Sequence, residues 1–549
     1  MKQCMKNSPK TMLFSAALLA CVAQVQAQSH KNDSTLNRTV VVENQYNPQI
    51  MDADKINLLP AVEEPKVSKT LIEYAETKQP FHHFVYRTMP AYGPMPIQPD
   101  APKTFINLGY GETKNGNILG EINHLFDFGG TTDKLNLNAR FDGYNYKVSD
   151  YGTPGQRLRY YQSQVQADYR HLFTTVELGA SASVGTQTFN YLGYDTDKQN
   201  NLIGGANIYI RSTKEDLQWQ YALDAGIRGF SRDYLYGEKN SNSETNFRLN
   251  GNVAYRWQES SRIGLKLRID QASYSLKELK GSGVVALTPY YNFQTSGVNL
   301  HVGAAVELST GYKSSLTITP DVMAEFPFGG QYVLYAQAKG GTLVNDFFRF
   351  NSITPYWGGF YEPNQMRNTH VQLDGTAGFR ATPTDNLWIN VFGGFELRKN
   401  ELGFMPDITV GGTPIYSSFV QDKAHNAKAG AALTYKYKDI IDLSAEGTYR
   451  SWSSDNDYVL YDKPSLDLKL DMGVHPIPAL TLHLGYHHRS YSKGPMPDVQ
   501  DLYAGADYRI LKFFSLWLKA DNLMNKQYQY YYSYPAQKIN FMIGASFRF

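Results

Sequence analysis

The sequence predicts an all-β fold, a transmembrane antiparallel β-barrel of about 22 strands that follows a short, mostly extended periplasmic segment. Three observations predict it. From about residue 102 to the end, apolar and polar side chains alternate with the period of a strand. The alternating segments run for about 10 to 15 residues, whereas soluble strands average about 5 to 6 and a tilted membrane strand needs about 9 to 11. The connections are alternately short and long.

Residues 1–27 are predicted to be a secretory signal peptide. A basic start precedes an apolar core from Met12 to Ala23, and the small residues that follow suit cleavage after Ala27. A lipoprotein signal is the alternative, because Leu18-Leu19-Ala20-Cys21 is a loose lipobox. Cleavage after Ala27 leaves 50 basic residues (53 minus three lysines) against 51 acidic ones, so the formal charge falls from +2 to −1.

Both cysteines, Cys4 and Cys21, lie in this peptide. The mature chain would therefore have neither a disulfide framework nor thiol chemistry. After residue 27 no apolar run reaches the length of a spanning helix. The near-neutral charge gives no sign of nucleic-acid binding. An exported chain of this kind is a periplasmic protein, a secreted protein or a barrel, and the long alternating segments favour the barrel.

Residues 28–101 differ in composition from the rest of the chain. They hold eight prolines and one short apolar run, Val40 to Val42. We expect a mostly extended periplasmic segment, with a short helix at 66–78, that folds only against the barrel and is a candidate insert for the lumen.

Residues 102–549 are predicted to form the barrel, with apolar side chains toward lipid and polar ones toward a hydrated lumen. One segment alternates Ile263, Leu265, Leu267 and Ile269 with Gly264, Lys266, Arg268 and Asp270. Short connections are expected at 129–132 and 171–174, for example, and long ones at 231–243, 344–368 and 398–425. An even strand number would put both ends of the barrel on the periplasmic side.

The last strand ends the chain on an aromatic residue. Phe541, Ile543, Ala545, Phe547 and Phe549 alternate with polar or small residues, so this set would face lipid. A terminal aromatic that closes an alternating strand resembles the signal used by the bacterial barrel-assembly machinery, with Phe547 and Phe549 as its residues here.

The stretch from Asp521 to Tyr528 carries the motif Asn-Leu-x-Asn-Lys-x-Tyr, and it precedes a Tyr-rich loop and the last strand. It resembles the C-terminal end of TonB-dependent receptors, through the residues Asn522, Leu523, Asn525, Lys526 and Tyr528. The resemblance spans roughly residues 102–549 and is specific in the last thirty. It implies an outer-membrane receptor barrel, but the family's energised uptake through TonB is not carried over, because the chain departs from the family in its plug.

One departure from that family concerns its plug, a folded domain of well over a hundred residues inside the barrel. Only about 75 mature residues precede the first strand here. Residues 38–42 resemble the short apolar segment that engages TonB. The chain resembles a receptor barrel without the full plug, of a type associated with Bacteroidetes.

The long connection 344–368 is the candidate binding loop because it is rich in aromatic residues. Aromatic side chains on outer loops stack on sugars or bury into a protein partner, or they pack the loop on itself or into the lumen. Both readings stay open. The candidate binding residues are Phe347, Phe348, Tyr356, Trp357, Phe360 and Tyr361.

Other polar groupings have simpler readings as ordinary barrel residues. His483 and His487 share the lumen face of one strand, where a metal pair is possible but lumen-lining polar residues are favoured. The Asp-x-Asp pairs at 195–197 and 455–457 suit calcium less well than solvated turns. No nucleophile elbow, phosphate loop or zinc-protease helix occurs, so no catalytic, cofactor-binding or metal residue is assigned.

The leading functional hypothesis is a non-enzymatic outer-membrane barrel that acts in transport as a pore or receptor. A non-conducting scaffold that holds a surface lipoprotein is the first alternative, and a barrel enzyme with scattered active-site residues is the second. The expected partners are outer-membrane lipid and the barrel-assembly machinery, with a surface lipoprotein or TonB as further candidates.

Overall fold

The computed structural model describes the chain from residue 103 onward with short gaps. The predicted signal peptide, the segment 28–101 and its TonB-like stretch lie outside the described residues. The described ranges are 103–112, 116–128, 132–148, 156–192, 198–214, 217–235, 238–277, 279–360, 365–407 and 416–549.

These residues form 25 strands. The first thirteen are β1 (Thr104–Gly111), β2 (Ile118–Asp127), β3 (Asp133–Lys147), β4 (Arg157–Leu172), β5 (Val176–Asn190), β6 (Lys198–Ser212), β7 (Trp219–Leu235), β8 (Glu238–Gln258), β9 (Ser261–Tyr274), β10 (Ser282–Gln294), β11 (Asn299–Thr310), β12 (Ser315–Phe328) and β13 (Tyr332–Leu343). A helix α1 (Phe347–Ile353) and a short strand β14 (Trp357–Phe360) follow.

The remaining strands complete the chain, with a 3-10 helix at Asp457–Leu460. They are β15 (Thr369–Thr384), β16 (Leu387–Asp407), β17 (Tyr416–Tyr437), β18 (Ile441–Ser453), β19 (Pro464–Ile477), β20 (Leu480–Tyr491), β21 (Val499–Leu511), β22 (Phe514–Asp521), β23 (Gln529–Tyr531), β24 (Tyr534–Pro535) and β25 (Asn540–Arg548).

All strands except β14, β23 and β24 pair with their neighbours in one closed antiparallel barrel. The barrel closes where β1 pairs with β25, from Phe105 opposite Arg548 to Gly111 opposite Met542. Two backbone hydrogen bonds between Thr104 and Phe549, of 2.7 and 3.0 Å, finish the seam. The expectation of about 22 strands is therefore confirmed, and closure leaves no open sheet edge.

The two faces of the wall have opposite character, as the alternation predicted. Val184, Ile208 and Ile543 are 51, 61 and 60% exposed on the outside, where lipid would cover them. The side chains between them face the lumen and pair across strands: Lys266 lies 2.7 Å from Asp321, and Lys428 lies 2.6 Å from Asp374. An apolar exterior and a paired polar interior are what a membrane barrel requires.

Two of the predicted long connections were wrong. Within the predicted loop 231–243, β7 extends to Leu235 and β8 begins at Glu238. Within the predicted loop 398–425, β16 extends to Asp407 and β17 begins at Tyr416. These strand ends rise above the lipid band, where one face no longer meets lipid. The apolar–polar alternation that marks a membrane strand is therefore lost there, although the hydrogen-bonded ladder continues.

Within the described part of the chain, no helix combines the length and the apolar character that spanning a membrane requires.

Candidate functional site

One loop among the described residues folds deeply into the mouth of the barrel, at the end that holds the longer connections, which we take as the extracellular end. This loop, named the cap, comprises residues 344–368 between β13 and β15, of which 361–364 are not described. Within it, the Asp346 carboxylate caps α1 by accepting the Arg349 N–H at 2.8 Å. β14 then lies parallel on the part of β17 that extends above β18.

The two ends of the cap are clasped together at the rim. Asn345 donates from its amide nitrogen to the Arg367 carbonyl at 2.6 Å and to the Thr369 hydroxyl at 3.2 Å. The Asn345 backbone N–H donates to the Asn368 side chain at 3.2 Å, and Asn368 donates to the Ser309 hydroxyl at 3.0 Å. The clasp fixes the base of the loop to β11, so the segment between its ends is directed inward.

An aromatic group named the phenylalanine cluster joins the cap to two separate parts of the wall. The Phe350 ring lies 4.7 Å from Phe419 of β17, and the Phe348 ring lies 5.5 Å from Phe230 of β7 (centroid distances). These wall strands are far apart around the barrel, so the cap spans the mouth. The members are Ile203, Phe230, Leu235, Leu279, Phe347, Phe348, Phe350, Trp357, Phe360, Leu402 and Phe419.

A second group of buried residues, named the tyrosine cluster, joins the cap to β3–β5 and to the hairpin β23–β24. Tyr356 of the cap stacks on Tyr534 with a centroid distance of 3.4 Å, and its hydroxyl lies 3.2 Å from that of Tyr144. The members are Tyr144, Tyr146, Val148, Leu158, Tyr160, Phe189, Tyr191, Leu192, Tyr356, Tyr531 and Tyr534. Aromatic side chains from the cap, from β3–β5 and from the hairpin β23–β24 thus pack together across the mouth.

Buried charges hold the start of the cap to β7 and β8. Asp346 accepts from Arg228 at 3.1 Å and from Asn246 at 2.9 Å, and the Glu244 carboxylate accepts the Phe347 N–H at 2.5 Å. Burial raises the pKa of the Asp346 carboxyl, although Arg228 and the Arg349 N–H oppose the rise. Burial likewise lowers the pKa of the Arg349 guanidinium, against the attraction of Glu401.

Arg232 of β7 is the most unusual of these groups because its side chain is fully buried and contacts no carboxylate among the described residues. Its guanidinium donates to the Tyr191 hydroxyl, to the Trp357 carbonyl and, at 2.9 Å, to the Tyr234 carbonyl. It also lies over the Trp357 ring at 4.0 Å. Burying a cation among neutral acceptors costs free energy, and the contacts with Tyr191, Tyr234 and Trp357 offset part of that cost.

The extended hairpin of β16 and β17 supports the cap from the other side. The Glu401 carboxylate forms ion pairs with Lys463 at 3.2 Å, with Arg398 at 3.3 Å and with Arg349 of the cap at 3.5 Å. The 3-10 helix packs against this hairpin at Gly403, where a Cβ atom would collide with the backbone of Val459. These contacts tie the cap, the hairpin and the 454–463 connection into one unit.

The predicted binding residues come together as expected of one loop, but their rings are buried rather than displayed. Phe347, Trp357 and Phe360 are 0, 0 and 3% exposed, and Phe348 and Tyr356 are also buried. The loop therefore packs on itself and into the lumen, which is one of the two arrangements predicted for it. A role in ligand binding stays a prediction. Tyr361 lies outside the described residues.

Sequence reasoning missed the wall residues that receive the cap. Arg232 lies in the stretch 231–243 that was predicted to be a loop, Glu244 follows that stretch directly, and Tyr144 looked like one aromatic among many. The one available signal is that several inward-facing positions near the tops of β3–β7 are aromatic rather than polar.

The motif near the C-terminus forms the turn that follows β22. Asn522 and Asn525 both have positive φ, 50° and 52°. The Asn522 side chain donates to the Lys526 and Gln537 carbonyls at 2.7 and 2.8 Å and accepts the Lys526 N–H at 2.9 Å. Leu523 N–H donates to the Leu502 carbonyl, and Tyr528 is buried against Val499 and Ala536. The motif therefore organises the approach to β23–β24, which faces the cap.

The other predicted groups lie in ordinary settings. His487 pairs with Asp467 at 3.0 Å on the lumen face, and Asp457 pairs with Lys493 at 3.3 Å. Among the described residues, no three His, Cys, Asp or Glu side chains are grouped so as to hold a metal. Phe547 packs against Phe514 at 5.0 Å, and Phe549 is 63% exposed at the seam. Its part in assembly stays a prediction.

No sequence-family profile and no curated protein sequence matches the chain. Solved structures match the fold. The siderophore receptor PirA from Acinetobacter baumannii superimposes with a TM-score of 0.64 at 9% identity, over 81% of this chain and 80% of that one. The ferric-catecholate import receptor Fiu from E. coli K12 gives 0.61 at 11%, over 82% of each. The copper transporter OprC gives 0.59 at 10%, over 82% and 80%.

Proposed function

We propose that this chain is an outer-membrane receptor barrel, which transports a ligand across the outer membrane and is shut at rest by its cap. The premise is that the barrel has the fold of TonB-dependent receptors. The observation that carries the proposal is the closed mouth: an inward-folded loop bridges opposite parts of the wall through two aromatic clusters. An open pore has no use for such a closure, whereas a selective transporter needs one.

The likeness to siderophore and copper receptors supports transport rather than catalysis. The charged pairs on the lumen wall also suit a path for a polar ligand below the cap. The signal peptide, the barrel-assembly machinery and TonB belong to the same proposal as export route, insertion route and energy source. The Bacteroidetes assignment stays a prediction.

We further propose that residues 28–101 enter the lumen beneath the cap. The first residue of β1, Thr104, and the C-terminal end of β25 both lie at the rim opposite the cap. Thr104 therefore lies at the mouth opposite the cap, where the segment before it would have direct access to the lumen. A polar wall offers hydrogen-bond partners to such a segment along its whole height.

Single-channel conductance in a planar bilayer tests both parts. The intact mature protein, with a protease site engineered after residue 101, is compared with a variant whose cap residues 346–366 are replaced by a short Gly-Ser linker that keeps the clasp. We expect silence from the intact protein, before and after cleavage, and from the uncleaved cap variant. Large steps are expected only when the cap variant is also cleaved.

The other outcomes separate the alternatives. Steps in the intact protein would exclude a closed mouth and favour a porin. Steps in the uncleaved cap variant would exclude the N-terminal segment as the lumen insert. Silence in all four states would favour the scaffold, and a co-purifying surface lipoprotein would then be sought. Heat-modifiable mobility on electrophoresis confirms in each case that the barrel has folded.

A further inference from the structure

Three arginines of the lumen wall lie next to the start of the cap. Arg228 on β7, Arg248 on β8 and Arg268 on β9 face the lumen, because they alternate with an outward-facing set that includes the exposed Ile227 and Phe247. These three strands are neighbours in the barrel. The arginine side chains are 23, 42 and 33% exposed, so the wall presents basic groups to the lumen here.

Carboxylates neutralise these arginines, and one of the carboxylates comes from the cap. Asp270 of β9 pairs with Arg268 at 2.7 Å and lies 3.4 Å from Arg248. Asp346 of the cap pairs with Arg228 at 3.1 Å, which is the ion pair that Arg228 forms among the described residues. Lifting the cap would therefore leave Arg228 without its ion-pair partner, while the pairs of Asp270 would stay intact.

The Asp346 carboxylate uses only part of what Arg228 offers. Its Oδ2 accepts from Nη2 of Arg228 and from the Asn246 amide, at 3.1 and 2.9 Å, while its Oδ1 accepts the Arg349 N–H that begins α1. Nε of Arg228 is buried and has no hydrogen-bond partner among the described residues. A carboxylate that is free to turn accepts from Nε and Nη2 together, which is the bidentate arrangement that arginine favours. A ligand carboxylate would therefore bind Arg228 more completely than Asp346 does.

The next residue of the cap adds a hydrogen-bond donor beside this carboxylate. The Glu244 carboxylate of β8 accepts the Phe347 N–H. Asp346 and Phe347 thus present to the wall a carboxylate and, one residue further along, a donor. The same two features occur in a small acid that carries a hydroxyl or an amide N–H next to its carboxylate.

We propose that the start of the cap is an internal stand-in for the ligand, in which Asp346 and Phe347 occupy the places of a ligand carboxylate and its neighbouring donor. The ligand takes the place of Asp346 on Arg228 and Asn246, and the cap is released as it binds. A ligand that binds only the open state shifts the population toward that state, so the ligand itself opens the mouth. This inference rests on the proposed function and adds the class of ligand, a carboxylic acid with an adjacent hydroxyl or amide N–H.

Calorimetric titration of the full mature protein tests the exchange, with malate as the probe and succinate, the same diacid without the hydroxyl, as its comparison. Asp346→Asn keeps a side-chain oxygen that can cap α1 and removes the competing charge. We expect this variant to bind malate about tenfold more tightly than the wild type, a coupling of ordinary size. Succinate should bind several-fold more weakly than malate.

Two arginine variants locate the site. Arg228→Gln should lose malate binding. Arg489→Gln is the matched control, because Arg489 is also a lumen arginine, 27% exposed and paired with Asp467 at 2.7 Å, on the distant strand β20. It should bind malate as the wild type does. An equal loss in both variants would indicate a general charge effect and would overturn the proposal.

Hydrogen exchange of the α1 amides shows whether binding releases the cap. Malate should speed this exchange several-fold in the wild type and leave it unchanged in Arg228→Gln, and sodium chloride at the same ionic strength should have no effect. Malate binding without faster exchange would overturn the proposal. So would equal malate affinity of Asp346→Asn and the wild type, or equal affinity for malate and succinate.

The same measurement separates this inference from the proposed function. Slow α1 exchange that malate does not change would leave the closed cap standing and remove this inference alone. Fast α1 exchange in the wild type before malate is added would contradict the closed cap itself. Unchanged heat-modifiable mobility of each variant keeps a folding defect from explaining any loss of binding.

Discussion

Among single residues, we expect Arg232 to set how firmly the cap is held. Its guanidinium joins β7 to the cap, because it donates to the Trp357 carbonyl and lies over the Trp357 ring. It also donates to the hydroxyl of Tyr191, the residue that follows β5. One terminal nitrogen, Nη1, has no hydrogen-bond partner among the described residues. Since the charge is buried without a carboxylate, the contacts it makes to the cap must offset a large loss of hydration.

Replacing this arginine should loosen the cap. In Arg232→Met the Trp357 carbonyl loses a charged donor, and such hydrogen bonds contribute about 1.5–3 kcal/mol. We expect the amides of α1 to exchange hydrogen at least about tenfold faster, since about 1.4 kcal/mol corresponds to that factor. Hydrogen-exchange mass spectrometry measures this, with the exposed Lys313→Met as control. Unchanged exchange in α1 would show that the aromatic clusters hold the cap without Arg232.

Asn522 is the second residue whose role is local and testable. It combines a left-handed backbone with three side-chain hydrogen bonds. Asn522→Ala loses both features and should destabilise the barrel by roughly 1–3 kcal/mol in urea unfolding. Asn522→Gly keeps the backbone freedom and loses only the bonds, so it should fall between alanine and wild type. Equal stability of all three would contradict the structural role of the motif.

At the scale of elements, the tall hairpin of β16 and β17 is the frame on which the cap rests. β14 continues its sheet, Leu402 and Phe419 enter the phenylalanine cluster, and the 3-10 helix covers its other side. The close approach at Gly403 is the contact that seats the 3-10 helix, because a Cβ atom there meets backbone, which cannot move aside easily.

A substitution at this glycine should detach the 3-10 helix. In Gly403→Ala the helix must shift, which would expose Lys463, now only 11% exposed, to trypsin. We expect faster cleavage after Lys463 in the folded barrel, followed by gel and mass analysis. Gly393→Ala is the matched control in the same strand, since a Cβ atom there meets nothing nearer than 3.8 Å. Equal cleavage in the two variants would count against tight seating at Gly403.

At the scale of the whole molecule, closure joins the first strand to the last. The seam depends on residues more than 400 positions apart: Trp517 donates to Asn107 at 2.7 Å, and Asn117 donates to Asn540 at 3.1 Å. The chain can close only after its C-terminal strand is present, so the end of the chain is a natural point for assembly to be controlled.

Loss of the terminal aromatic should reduce assembly more than stability. Phe549 is exposed, so its removal costs little packing in the finished barrel. We expect Phe549→Ala to lower the amount of folded protein in the outer membrane several-fold, measured by heat-modifiable mobility in membrane fractions. Phe513→Ala is the control, because Phe513 is an aromatic of the same rim that is 51% exposed, against 63% for Phe549. A similar decrease in both variants would mean that general hydrophobicity, not the terminal signal, matters.

The wall was predictable because its cause is local. Residues such as Ile263 and Lys266 alternate between lipid and lumen, and a period of two is visible within any ten residues. The same alternation, together with turn residues, predicted about 22 strands, which the structure confirms, and a periplasmic position of both ends, which stays a prediction. It failed where strands rise above the lipid, as at 238–243, because one of the two contrasting environments is missing there.

A closed barrel with an apolar exterior, a polar lumen and one aromatic loop that could reach outward or inward was predictable from the sequence alone. That this loop turns inward across the mouth emerges only in the folded structure. The reason is that its partners are distant in the chain: Tyr356 meets Tyr144 and Tyr534, and Trp357 meets Arg232. No local pattern encodes contacts between residues that closure of the barrel brings together.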